Sequence, residues 1–135
     1  MRRVFAVAGS ATLLAVGVAS MPFAPRHAAQ TSRVMVHCPN GDQPAFVTPP
    51  KITIAVGDTV EWRMTGQVRS DSLIISLKNP EQAWPFAGPV PKGASSARTG
   101  NAHTKGTYGY NVHLHCRLPN GGTESVTIDP DIIIE

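Results

Sequence analysis

Hydrophobic residues recur at every second position in several short runs. In KITIAV (51–56), Ile52 and Ile54 alternate with Lys51 and Thr53, the period of a half-buried strand. In TVEWRM (59–64), Val60 and Trp62 fall on the face opposite Glu61 and Arg63, and Gly57-Asp58 turns the chain between the two runs. SRVMVHC (32–38) leads into a Pro39-Asn40-Gly41 turn, and SLIISL (72–77) has the composition of a buried strand. GTYGYNVHLHC (106–116) reads as a strand, RLPNGG (117–122) as a turn and TESVTIDP (123–130) as the last strand. DIIIE (131–135) is an apolar tail with no visible partner. Residues 79–101 are rich in Pro, Gly, Ala and Ser and read as a long connection anchored by Trp84 and Phe86. No amphipathic helix, internal repeat or second domain follows residue 31. Short strands with frequent turns predict a single all-β domain, a sandwich or barrel, over 31–135.

The opening differs in kind. Arg2 and Arg3 precede an uncharged run over residues 4–21 that ends among small residues. This is the pattern of a secretory signal peptide, read over 1–30, with cleavage after Ala19 or Ser20 or near Ala28-Ala29. The alternative is an uncleaved anchor formed by residues 4–21, although Gly9, Ser10, Thr12, Gly17 and Ser20 dilute it. Either way the domain is expected outside the cytoplasm, periplasmic or secreted.

Charge then reads differently. The whole chain carries 12 basic and 9 acidic residues, a net charge of +3. Arg2, Arg3 and Arg26 lie in the leader, so the domain itself is near neutral. It has no concentrated basic patch for nucleic acid, and no apolar span for a membrane follows residue 31.

The chemistry gathers around the two cysteines, Cys38 and Cys116, and the histidines His37, His113 and His115 beside them. Imidazole and thiolate suit copper or zinc. On a strand His113 and His115 share a face about 7 Å apart, and His37 is the third imidazole of a candidate metal site, with His103 outside it. In an exported chain with two cysteines, a Cys38–Cys116 disulfide is the leading alternative to a metal-thiolate role. The spacing is not C-x-x-C, so no thioredoxin-type function follows. No nucleophile motif or carboxylate pair marks an enzyme.

The order of these segments resembles the cupredoxins, the superfamily of plastocyanin and azurin. VMVHCPNGDQPAFVTPPKITIAVGDTVEW looks like that family's first strand, F-x-P segment and V-G-D-T-V-x-W turn, GTYGYNV like the strand bearing the copper thiolate, and VTIDP like the closing strand. The resemblance spans residues 33–128 and implies a Greek-key β-sandwich. It also implies a blue copper ligand set of two histidines, a cysteine and usually a methionine, a trigonal site with a weak axial ligand.

That set is largely missing. The first histidine would fall near Ser70 or Ser72. Val112 stands where the copper cysteine belongs. His115 matches the second histidine, and no methionine lies near Asn120 to Gly122. The resemblance also places the loops bearing Cys38 and Cys116 at one end of the sandwich, where a bridge between them stands in for the ion. The sequence is therefore read as an exported, non-enzymatic, cupredoxin-like binding or structural module without a blue copper centre or other cofactor. The loop 79–101 offers a surface for a protein partner. The alternative is a copper-binding protein, in electron transfer or copper handling, using His37, His113 and His115.

Overall fold

The computed structural model describes residue 20 and residues 22–135. Ten strands follow in order: β1 (Thr31–His37), β2 (Phe46–Thr48), β3 (Lys51–Ile54), β4 (Thr59–Thr65), β5 (Ser70–Leu77), β6 (Lys92–Gly93), β7 (Ser96–Arg98), β8 (Gly106–Arg117), β9 (Thr123–Ile128) and β10 (Asp131–Ile134). They form two sheets. One has the order β2-β1-β4-β7; the other runs β3-β10-β8-β5-β6, with β9 also paired to β8. The expected all-β sandwich is what the chain forms.

Alternation explains the layers. Val34 and Val36 of β1 and Val60, Trp62 and Met64 of β4 point inward from one sheet. Leu73 and Ile75 of β5 and Tyr108, Tyr110, Val112, Leu114 and Cys116 of β8 meet them from the other. All belong to a single core cluster. Successive strand residues face opposite ways, so the residues between them lie on the outer faces. SLIISL follows the same rule: Ile74 is 44% exposed, and the run is half-buried rather than fully buried.

Three segments differ from the sequence reading. The tail 131–135 has partners: β10 lies parallel to β3, with Ile132 beside Ile52, and antiparallel to β8, with Ile132 beside Tyr108. β9 and β10 lie in succession along the same edge of β8, interrupted at Asp129-Pro130. The connection 79–101 contains β6, paired to β5, and β7, paired to β4. Its anchors behave as expected, with Phe86 buried and Trp84 packed against the core, their rings 5.1 Å apart.

The turn before β4 is tighter than composition alone conveys. Gly57 takes φ 98°, a backbone conformation that favours glycine. Asp58 folds back beneath it, and its side chain is 7% exposed. It accepts hydrogen bonds from the Ala55 and Gln30 amides and pairs with His27 at 2.8 Å. Residues 22–30, the last part of the expected leader, thereby reach the domain. The rest of that leader, including the anchor segment 4–21 apart from Ser20, lies outside the described residues. Among the described residues no helix is long and apolar enough to cross a membrane.

Candidate functional site

The cysteines meet. Cys38 leaves the end of β1 and Cys116 comes from the last turn of the pleat in β8; their Cα atoms are 5.8 Å apart and their sulfurs are bonded. Both are buried. Cys116 lies within β8 rather than in a loop after it, because β8 continues to Arg117, where the resemblance placed a ligand loop.

The disulfide decides where the histidines go. His37 precedes Cys38, so a cysteine turned inward puts His37 outward. There its ring stacks on Phe46, centroids 4.0 Å apart and nearly parallel. A small pocket of about 150 Å³ opens beside it, lined by Asn40, Gln43, Thr65 and Gln67. Desolvation lowers the His37 pKa from its usual value.

His113 and His115 do share a face, but it is the outer face of the other sheet. His113 Nε2 is 2.8 Å from Ser76 Oγ, and its Nδ1 is 3.1 Å from Thr127 Oγ1. His115 Nδ1 lies 2.8 Å from Asp71. A carboxylate accepts, so that nitrogen carries the proton and Nε2 is left open. The hydrogen bond from His115 and the neighbouring Arg117 guanidinium hold Asp71 below the usual carboxylate range. The expected convergence of His37 with His113 and His115 does not occur, because the two sheets lie between them. His103 lies in the loop before β8, its Nδ1 2.7 Å from Thr104 Oγ1.

The positions of the copper ligands have other occupants. Val112 is fully buried in the core. Ser70, 7% exposed, pairs with Cys116 at the start of a bulge; its single hydroxyl hydrogen is within reach of the Ser72 and His115 carbonyls, and its oxygen accepts from the His115 amide. It serves the backbone there. Among the described residues no three His, Cys, Asp or Glu side chains gather to hold a metal. A blue copper centre does not fit these residues: both cysteines are oxidised, Val112 has no donor atom, and His115 faces away from the core.

Sequence reasoning missed Asp71, Ser76 and Thr127, the partners of the two histidines. The parity of β8 was a usable signal. Tyr108, Tyr110, Val112, Leu114 and Cys116 share one face, so His113 and His115 take the other.

No protein-family model matches the chain, and no curated protein matches its sequence. Among solved structures it is similar to a purple cupredoxin from Nitrosopumilus maritimus, at 19% identity over 77% of this chain and 99% of that one, with a TM-score of 0.42. It is similar to the Cu(I) form of an amicyanin variant at 19% identity, over 76% and 82% of the two chains, with a TM-score of 0.38. Reduced rusticyanin matches at 20% identity, over 81% and 82%, with a TM-score of 0.37. The fold itself, two β-sheets packed around one core, rests on the strand pairing of this chain. Likenesses this distant carry no argument about what the chain binds; that rests on its own residues.

Proposed function

We propose that this chain is an exported, non-enzymatic cupredoxin-like module whose Cys38–Cys116 bridge, rather than a copper ion, holds one end of the sandwich. The observation that carries this reading is the pairing of Cys116 with Cys38 while Val112 fills the core at the thiolate position. With no thiolate left, the donor set of a blue site is gone. The basic-apolar leader and the disulfide support export. The loop 79–101 supplies one binding surface in this reading: Val90 is 40% exposed beside a groove of about 490 Å³ shared with Arg98 and Thr99.

A second reading is a copper-binding protein of the histidine type. The open Nε2 of His115 favours it, because the Asp71 carboxylate holds Nδ1 and so fixes the ring with Nε2 outward, as carboxylates do behind metal-bound histidines. His113 joins only by releasing Ser76 or Thr127, and His37 has no part in it.

Equilibrium dialysis of the oxidised protein against Cu(II) and Zn(II), with metal content measured, separates the two. The module reading expects substoichiometric metal. Stoichiometric Cu(II), lost in His115→Ala, transfers the assignment to the second reading.

A further inference from the structure

The line formed by β9 and β10 is covered along only half its length. β3 pairs with β10 from Lys51 to Ile54. β9 has β8 on one side, and among the described residues no backbone group bonds to its other side. An unpaired strand edge is a template for another strand, and proteins that avoid this place Lys, Pro or a bulge there. β9 reads TESVTI: its one charge, Glu124, sits near its start, the stretch 125–128 has no charge, Pro or Lys, four of the six residues are β-branched, and the register with β8 is unbroken.

The space beside this edge has the right form. Across from it runs the stretch between β1 and β3. Gly41, Asp42 and Pro44 face Glu124 and Val126 across a groove of about 440 Å³. Phe46, Val47 and Pro50 continue this wall opposite Ile128 around a second groove of about 440 Å³. Val126 and Ile128 are only partly buried, at the open side of the core. Six residues of edge span roughly 20 Å by strand rise.

Charge selects the occupant. Asp42, Glu124, Asp129 and Asp131 line the two grooves with Lys51, and Lys78 pairs with Asp129 at 2.8 Å, so the rim stays acidic by two charges, with Asp42 and Glu124 unmatched by a lysine in their groove. A second copy docked edge to edge through β9 would bring both acidic rims to one seam, where like charges oppose pairing. A segment with Lys or Arg at its flanks matches the rim. We propose that the open edge of β9 is a strand-addition site for an extended partner segment, β-branched at its centre and basic at its ends. Main-chain hydrogen bonds to β9 supply affinity, and alternate side chains cover Val126 and Ile128.

The probe is a capped synthetic peptide, Lys-Val-Thr-Val-Thr-Val-Arg, titrated into the isotope-labelled oxidised protein and followed by amide shifts and hydrogen exchange. Expected are saturable binding, slowed exchange of β9 amides, and roughly tenfold weaker binding to Glu124→Lys. Two control peptides are expected not to bind: one N-methylated at alternate residues, and one with Asp at both ends. Absence of saturation at millimolar peptide overturns the proposal, as do equal binding of the N-methylated peptide or shifts confined to residues 79–101. Sedimentation of the free protein as a dimer with β9 amides already protected overturns it in favour of a second copy.

Discussion

The indole N–H of Trp62 donates to the phenol oxygen of Tyr110 at 3.0 Å, with the two rings edge to face and 5.5 Å apart. Trp62 comes from β4 and Tyr110 from β8, so this buried bond joins the two sheets through the middle of the core. Burial pushes the Tyr110 pKa up to about 12, so the phenol stays neutral at any physiological pH.

Tyr110→Phe removes the acceptor and leaves the Trp62 N–H buried without a partner. The expected loss is about 1–3 kcal/mol, the cost of an unsatisfied buried donor, with little change in volume. Urea unfolding followed by tryptophan fluorescence measures it. A loss near zero would mean that the N–H finds another acceptor.

The disulfide joins residues 78 apart in sequence. On a loop-entropy treatment a closure of that length stabilises by about 4.5 kcal/mol, with less often realised. Cys38→Ala with Cys116→Ala is expected to lower unfolding stability toward that figure while β-sheet circular dichroism persists at low temperature. Unchanged stability would remove the structural role given to the bridge.

Asp58 supplies a pH dependence. Burial alone raises its pKa, but the Gln30 and Ala55 amides and then His27 outweigh that and hold it below the usual value. A carboxylate depressed in the folded state stabilises fully above its unfolded pKa, near 4, and this contribution is lost as pH falls below that through the folded value. Asp58→Asn is therefore expected to be less stable at neutral pH and to lose stability less steeply on acidification. A pH–stability curve for the two proteins checks this. Parallel curves would assign the acid loss to the other depressed carboxylates, Glu61, Asp71 and Asp129.

Much of the sandwich was legible because β1, β4 and β8 alternate cleanly. Val60 and Trp62, or Tyr108 and Tyr110, announce both the strand and its inner face. β6 and β7 were not legible, since two or three residues carry no period and their pairing with β5 and β4 is a tertiary matter. Nor was the partner of Ile132–Ile134, because the parallel pairing with β3 joins residues some eighty positions apart. The cysteine pair was legible from the export pattern and an even count. A three-histidine site has only proximity in sequence to the cysteines behind it. Adjacent strand residues point opposite ways, so the geometry that joins Cys38 to Cys116 is the one that turns His37 and His115 apart.

The most direct measurement adds Cu(II) to the native oxidised protein and to the same protein after reduction, recording the visible spectrum of each. With Cys116 bridged and Val112 in the core, no intense thiolate-to-copper band is expected from the oxidised protein. The reduced protein is expected to lack the blue band too, because no histidine stands beside either sulfur on the inner face. An intense band in the oxidised protein, with one copper bound per chain, would contradict the account.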